Sequence, residues 1–576
     1  MRKKWFSLGC LTSFLLLMLF LFFLGRAIGK LINQNKSKKR ILPNSTLYLQ
    51  LKGNIPEYSI LKDSMFGEKI ITVNDIITAI KNAKTNPDIS NIFIEPQFLS
   101  MGYSSLNDIV EAIKDFKTSN KPVYSYLEMA STKDYFVASV ADKVYLNPSY
   151  SAGILLKGIG INGHFYKNLL DKIGIDINVI HAGKYKGFGE NYSRTNFSEP
   201  VKKNIDLLLG EVYDNILKDI SNNRNIPIKE LKKIFEDRDK LFINGEIALK
   251  TKIVDELKQK QDIFEELGIT ENYIVKPSNL NKEKFNTANG KIAVVFAEGP
   301  IVSSLQRQNP KNMVITSKKY VKILNKLQND KSIKAVVIRV NSPGGSALES
   351  EIILNAIKKL KTVKPVIVSM GSVAASGGYY ISCNADYIFA EKYTVTGSIG
   401  VVAMLPKAKK LADKIGITTD KIHKGNYVGL FDIFSDYDKN TISMIKKSIT
   451  DTYWEFKTRV SEGRNIPVTK VEDLAQGQVW SAKKALELKL INKIGNLDDA
   501  IKYAADLVKL TNWKTINYPE KKSFLDYLLE NNFKFNIASR IYKNEIVKDL
   551  RINKAYQYFD MIRQDPIQML YLGELN

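Results

Sequence analysis

Histidine and cysteine are nearly absent from this chain, with three and two in 576 residues. Cys10 lies in an N-terminal apolar stretch and Cys383 far along the chain. No disulfide framework is therefore expected, and cysteine usage does not reveal a redox compartment. Cys383 reads as a small buried residue. His164, His181 and His423 leave little room for a Ser-His-Asp arrangement. No H-E-x-x-H or comparable ligand spacing occurs, so neither a metal nor a cofactor is expected. Gly158-Ile159-Gly160-Ile161-Asn162-Gly163 matches G-x-G-x-x-G. It lies deep inside a repeat rather than at a first strand-to-helix turn, which argues against dinucleotide binding. Zinc spacing, RNP-like segments and basic blocks interleaved with aromatics are missing too, so no nucleic-acid partner is expected.

Positive charge, by contrast, is in excess, at a formal +25. Its basic residues are spread among acids, which reads first as a lysine-rich composition and second as attraction to an anionic membrane surface. Arg2, Lys3 and Lys4 precede an uncharged stretch from Trp5 to Gly25, long enough to cross a bilayer as one helix. The following Arg26-Ala27-Ile28-Gly29 is a poor cleavage site, so the stretch reads as a retained anchor. Arg26, Lys30, Lys36, Lys38, Lys39 and Arg40 follow it. With basic residues on both sides, charge counting leaves the orientation open.

Beyond the anchor the chain is written twice. Leu47–Pro56 recurs as Val294–Ile301, Ala112-Ile113-Lys114 as Ala356-Ile357-Lys358, and Lys121-Pro122-Val123 as Lys364-Pro365-Val366. Asp171-Lys172-Ile173-Gly174-Ile175 recurs as Asp413-Lys414-Ile415-Gly416-Ile417, and Arg224-Asn225-Ile226-Pro227 as Arg464-Asn465-Ile466-Pro467. The matches keep their order about 240 residues apart, the mark of a duplicated domain. Short apolar runs (Ile92–Glu95, Ala335–Val340) alternate with helical periodicity (Val110–Phe116, Ile352–Leu360), which predicts an α/β fold with a mainly parallel sheet. The expected organisation is an anchor segment at 1–25, a basic linker at 26–45, a first repeat at 46–275 and a linker at 276–290. A second repeat at 291–508 and a partly helical tail at 509–576 follow, with helical stretches at Phe524–Leu529 and Ile537–Tyr558 and no counterpart in the first copy.

Positions where the copies differ in chemistry are candidates for function. In the second copy, Gly371–Tyr380 reads G-S-V-A-A-S-G-G-Y-Y. Ser376 stands there between small residues, straight after the apolar run Val366–Met370. A sharp strand-to-helix turn exposes such a hydroxyl, and the Gly377 N–H that follows can stabilise an oxyanion. The first copy has Thr132 opposite Ser376 and Lys133-Asp134 opposite the two glycines. Asn341-Ser342-Pro343-Gly344-Gly345-Ser346 supplies a turn whose N–H groups are unobstructed, as a second oxyanion donor requires. Its glycines face Ser100 and Met101. The difference also runs the other way, because Lys186 of the first copy faces Val428 of the second. His181 and His423 occupy equivalent positions and read as serving the fold. A site built from both copies pairs Ser376 with Lys186, which can act as a base once desolvation has lowered its pKa. Ser398, in Thr396-Gly397-Ser398-Ile399-Gly400, faces Ile154 or Leu156 depending on a short gap, and is expected to orient the lysine amine.

The motifs S-P-G-G, A-A-S-G-G-Y and T-G-S-I-G, with G-x-Y-K in the first half, resemble the long, duplicated form of the bacterial signal peptide peptidase A (SppA) family. The resemblance implies two tandem Clp-protease/crotonase-like domains after a single N-terminal transmembrane helix. It also implies a serine protease with Ser376 as nucleophile, Lys186 as general base and Ser398 coordinating that lysine, and an oxyanion hole from Gly377 and the Gly344-Gly345 turn. Cleaved signal peptides are the implied substrates, and a homotetramer in the bacterial cytoplasmic membrane, its catalytic part on the extracytoplasmic side, the implied assembly. The alternative is a non-proteolytic crotonase-like acyl-transfer or thioester enzyme, which needs neither Ser376 nor a lysine partner.

Overall fold

The computed structural model describes residues 40–64, 68–237, 242–280, 288–303, 313–425, 430 and 432–523, the single positions 18, 25 and 526, and the backbone of a strand at 567–570. The expected anchor at 5–25, the basic linker up to residue 39, Val428 and the expected tail helices fall outside these residues, position 40 and those single positions apart. Among the described residues no helix is long and apolar enough to cross a membrane.

Strands β1 (Ser45–Lys52), β2 (Ile89–Gln97), β3 (Val123–Leu127), β4 (Met129–Ser131), β5 (Lys143–Leu146), β6 (Gly153–Leu155), β7 (Asp176–Ala182), β8 (Glu256–Leu257) and β9 (Ile274–Val275) belong to the first half. The second half contributes β10 (Lys291–Glu298), β11 (Ile333–Ser342), β12 (Gly344–Ser346), β13 (Val366–Ala375), β14 (Tyr387–Ala390) and β15 (Val395–Gly397). After them come β16 (Val401–Lys407), β17 (Val479–Ser481), β18 (Lys493–Ile494), β19 (Lys514–Tyr518) and β20 (Ile567–Leu570).

The first sheet runs β8-β5-β3-β2-β1-β9, all parallel. The second repeats that order as β18-β14-β13-β11-β10-β19, with β15 and β17 added beside the far end of β13. Buried strands of this kind read as near-continuous apolar runs, and Ile292–Ala297 and Ala335–Val340 are buried throughout. Helices close the crossovers by their apolar stripe. Val73–Thr85 buries Val73, Ile76, Ala79, Ile80 and Ala83, and a capping box between Thr72 and Asp75 starts it.

The repeated Arg-Asn-Ile-Pro also has a physical meaning. Both copies carry a 26-residue helix, Glu199–Arg224 and Lys439–Arg464, and each is stopped by an asparagine in the left-handed conformation, Asn225 at φ 56° and Asn465 at φ 52°. Asparagine tolerates that geometry. Tyr135 and Tyr379 confirm the register around Ser376, since their hydroxyls donate to equivalent carbonyls, Ile253 and Leu490. Thr132 therefore does stand opposite Ser376. Pairing of β4 with β6 and of β13 with β15 then sets Leu156, not Ile154, opposite Ser398.

Two features depart from the reading of the sequence. β19 completes the second sheet as β9 completes the first, so the segment taken as a tail without counterpart begins with a counterpart strand. Lys-Thr-Ile-Asn-Tyr is only half-buried, and its weak apolar pattern hid it. The cross-copy strand pair is also asymmetric. β7 pairs antiparallel with β16 along Asp176–Ala182 and Val401–Lys407. The counterparts of these strands, Thr418–Lys424 and Ile159–Phe165, form no strand, and Ile422 is almost wholly exposed.

A buried charge cluster joins the halves. The Arg339 guanidinium donates to Glu57 at 2.9 and 3.0 Å, to Asp108 at 2.8 Å and to Ser369 Oγ at 3.0 Å. Glu57 and Asp108 come from the first copy, Arg339 and Ser369 from the second, and Arg339 is 2% exposed. Glu391 lies 3.9 Å from the guanidinium, and burial pushes its carboxyl well above the usual range. Removing one member of such a cluster leaves buried charge unpaired. Arg339→Ala is therefore expected to lower the unfolding free energy by about 3–5 kcal/mol, read as a shifted denaturant midpoint; a change under about 1 kcal/mol would show that the cluster does not hold the halves together.

Candidate active site

β13 ends at Ala375, and the helix Gly377–Ser382 starts after one intervening residue. Between them Ser376 is held at φ 55° and ψ −117°, a conformation that costs a residue with a Cβ on the order of 1–3 kcal/mol. Its N–H donates to Gly397 O at 2.8 Å and its carbonyl accepts from Tyr380 N–H at 2.8 Å. The two glycines make the turn possible. A Cβ on Gly377 would lie 2.8 Å from Ser350 Oγ and 3.1 Å from Gly344 Cα, and one on Gly378 2.5 Å from the Ser342 carbonyl. In the first copy the equivalent turn serves as a helix start. The Asp134 carboxylate accepts from Ser131 N–H at 2.7 Å and Leu99 N–H at 2.9 Å, and Thr132 Oγ1 donates to the Lys157 carbonyl at 2.8 Å.

β12 runs beside the turn. A Cβ on Gly345 would lie 1.9 Å from the Ile301 carbonyl, and φ is 148° there, so only glycine fits. Gly344 N–H donates to Ser342 Oγ at 3.2 Å. The Gly345 nitrogen is the one that lies against Gly377, 3.2 Å from where its Cβ would be.

Lys186 arrives from the other half. It follows β7, whose pairing with β16 carries the first copy's loop across to Ser376. Its Nζ lies 2.7 Å from Ser376 Oγ, 3.0 Å from Ser398 O and 3.0 Å from Ser398 Oγ. All three residues are buried, and among the described residues no carboxylate is a partner of the amine. Burial pushes the lysine well below its ordinary pKa. A neutral amine has two N–H donors and one lone pair. Two donors to Ser398 and a lone pair toward the Ser376 hydroxyl account for all three contacts.

Of the residues singled out in the sequence, the structure brings Ser376, Lys186, Ser398, Gly344, Gly345 and Gly377 to one place. His181 lies on β7 opposite Val402, whereas His423 sits on an exposed stretch without strand pairing. The fold thus uses these two equivalent histidines differently. Cys383 is fully buried, and burial pushes its thiol up to about 12, as suits an inert core residue.

The turn Ala475-Gln476-Gly477-Gln478 escaped notice in the sequence. Gln476 O accepts from Tyr185 N–H at 2.9 Å, Gln478 O accepts from Ser398 N–H at 2.7 Å, and Gly477 N–H donates to Ile399 O at 2.7 Å. One turn therefore clamps the backbones of both the lysine loop and the Ser398 loop. A Cβ on Gly477 would come within 2.6 Å of Lys186 N and Cβ, and φ is +79°. A lone glycine between glutamines was the only signal available, and without contacts it has no meaning. Gly477→Ala is expected to displace Lys186 and lower kcat/KM by about a hundredfold, with the chain still folded by circular dichroism; near-full activity would show that this contact does not position the amine.

Comparison with known proteins places the chain in a family. The model for peptidase family S49 matches residues 115–272 and 358–511, one segment in each half. "Protease 4" of Haemophilus influenzae is 34% identical over 461 residues, covering 76% of this chain and 73% of that protein. "Serine protease SPPA, chloroplastic" of Arabidopsis thaliana is 30% identical over 480 residues, covering 81% of this chain and 69% of that one. A "Putative signal peptide peptidase SppA" of Enterococcus faecium is 33% identical over 235 residues, covering 40% of this chain and 67% of its own length. The crotonase-like acyl-transfer alternative is thereby set aside: the chain belongs to peptidase family S49 and is a serine protease.

Proposed function

We propose that this protease works by a Ser-Lys dyad in which Ser376 is the nucleophile, Lys186 the general base and Ser398 the residue that orients the lysine. The observation that carries the reading is the 2.7 Å contact between a buried amine and a strained, buried serine hydroxyl. Ser376 Oγ attacks a peptide carbonyl carbon while the Lys186 lone pair takes its proton. Charge on the carbonyl oxygen is stabilised by the N–H groups of Gly377 and Gly345, with Gly344 the weaker candidate because its N–H already serves Ser342. Lys186 then returns the proton to the leaving amine, and water resolves the acyl-enzyme by the same route. The first copy supplies the base, and the second the nucleophile and oxyanion donors, within the Clp-protease/crotonase-like arrangement that the motifs imply.

The substrates that fit this reading are signal peptides and similar apolar peptides, as the name of the Enterococcus relative indicates for that protein. A membrane anchor at 5–25 with the catalytic part outside the cytoplasm belongs to the same proposal. So does a homotetramer. The β7–β16 pair is made once per chain, while the equivalent segments Thr418–Lys424 and Ile159–Phe165 are left without strand partners. In this proposal a second copy pairs them in the same way, head to tail, a contact that gives a ring where the rotation between copies closes.

Two measurements test the dyad. A fluorophosphonate probe is expected to label the native protein, and the label to be lost in both Ser376→Ala and Lys186→Ala; labelling that survives Lys186→Ala would contradict the base. The rate should rise with pH and level off above the lowered lysine pKa, so a flat profile from about pH 5 to 9 contradicts it equally.

Stability gives a separate check with a definite sign. Between the folded pKa and the unfolded value of about 10.4 the unfolded chain binds more protons at Lys186, so stability rises with pH across that window. Lys186→Met removes the proton-linked penalty. At neutral pH it is expected to unfold at a higher temperature than the native chain, with the gap narrowing as pH approaches 10.4. A variant that melts lower at neutral pH would mean that burying the amine carries no such penalty.

A further inference from the structure

The strands in the order β18-β14-β13-β11-β10-β19 are parallel, so they start along one edge of the second sheet, where the crossover helices end. That starting edge is rich in lysine. Lys359 stands in the last turn of the helix Ala347–Lys361, which leads into β13. Lys331 and Lys334 lie around the start of β11, Lys291 at the start of β10, and Lys509 and Lys514 before and at the start of β19. Because β13, β11, β10 and β19 are neighbours, the six lysines are spread over about 15 Å of edge.

The first sheet shows which lysines the fold itself needs. Lys364 and Lys361 have equivalents in Lys121 and Lys117, and each pair makes the same bonds. Lys364 Nζ donates to the Asp330 carbonyl at 2.5 Å and Lys121 Nζ to the Asn86 carbonyl at 2.6 Å. Lys361 Nζ donates to the Asn384 carbonyl at 2.8 Å and Lys117 Nζ to the Val140 carbonyl at 3.0 Å. The other six have no such equivalent. Strand register sets Ser45 opposite Lys291, and Pro87 and Ser90 opposite Lys331 and Lys334. Asp115 stands opposite Lys359, Gly268 opposite Lys509 and Tyr273 opposite Lys514. Lys291, Lys331, Lys334, Lys359 and Lys509 are exposed and, among the described residues, pair with no carboxylate, whereas Lys358 and Lys361 beside them do. Lys509 even stands at φ 55°, in the left-handed region where its counterpart is glycine. Apolar exposure follows the same division. Val363 is 55% exposed and Leu507 46%, where the first copy has Ser119 and Glu266.

We propose that the starting edge of the second sheet is a docking surface for an anionic membrane, with these lysines against lipid phosphates and Val363 and Leu507 in the headgroup layer. The proposal rests on the anchored reading above and adds what an anchor leaves open. Residues 26–39 join the expected anchor to the described chain, and such a segment reaches at most about 50 Å. It keeps the catalytic part beside the bilayer without choosing the face turned toward it. Charge and apolar exposure choose that face. Each lysine near an anionic surface contributes about fivefold in affinity, and apolar side chains set among basic ones are the composition of an interfacial site. A nucleic acid would use the charge but leave Val363 and Leu507 bare, and so fits the edge less well. Ser376 lies past the other end of β13, ten residues and roughly 30 Å away, so the edge can be altered without touching the dyad.

The test uses the full chain with vesicles of phosphatidylcholine alone and of phosphatidylcholine mixed with phosphatidylglycerol. Flotation with the neutral vesicles reads the anchor, and amide hydrogen exchange of the floated protein reads the edge. The expected result is flotation with both. Exchange at residues 330–334, 361–365 and 507–514 should be at least about fivefold slower on the anionic vesicles, with residues 86–90 and 117–121 of the first edge unchanged. High salt, or Lys331→Glu, Lys334→Glu and Lys509→Glu together, should remove the difference while the fluorophosphonate probe still labels Ser376. Equal exchange on both vesicles, slowing at the first edge instead, or slowing that survives the triple variant overturns the docking surface and leaves the anchor standing. Equal exchange on both vesicles in a chain that binds DNA through these lysines assigns the edge to nucleic acid and overturns it likewise. A chain that floats only with the anionic vesicles, with the edge slowed, overturns the anchor and keeps the surface. One that floats with neither overturns both.

Discussion

A lysine amine held out of water is the constraint on which this structure depends. At its ordinary pKa the side chain of Lys186 would be an ammonium, useless as a base toward a serine hydroxyl. The fold lowers that pKa by desolvation alone. It offers the amine one hydroxyl to accept from and two oxygens of Ser398 to donate to, and among the described residues no carboxylate partner that would favour the charged form. Such a site must exclude water, and here it is built across the two copies, with Lys186 from the first and Ser376 and Ser398 from the second.

Much of the remaining architecture serves that closure. The β7–β16 ladder delivers the lysine loop, the Gln476-Gly477-Gln478 turn fixes its backbone, and Asn204 of the long first-copy helix bonds the N–H and carbonyl of Val479 next to it. On the opposite side of β13, Arg339 ties Glu57 and Asp108 of the first half to Ser369 of the second. Strain at Ser376 is tolerated because its backbone groups and both flanking elements are held. The two copies have diverged by division of labour: the first kept a capped helix start at Thr132–Asp134, and the second kept the strained turn.

The duplication made most of the site legible. Two versions of one fold in the same chain separate what the fold needs from what the chemistry needs, and Ser376, Lys186 and Ser398 all emerged as positions where the copies disagree. Strand order was legible for the same reason, since apolar runs and helical stripes recur in register. What stayed hidden depends on contacts between segments without local pattern. Arg339 reads as one more basic residue in an apolar strand, and its partners lie 282 and 231 residues away. Gly477 matters through one close approach to Lys186. β19 and β20 are short, and pairing rather than alternation defines them.

The most direct test is the ionisation of Lys186 itself, followed by NMR in protein carrying ¹³C at lysine Cε, with the signal assigned by its absence from Lys186→Met. The account predicts one lysine resonance that titrates well below the bulk of the others, which should change near 10.4. A Lys186 signal that titrates together with the surface lysines would mean the amine is charged at working pH, and the dyad as described here could not operate.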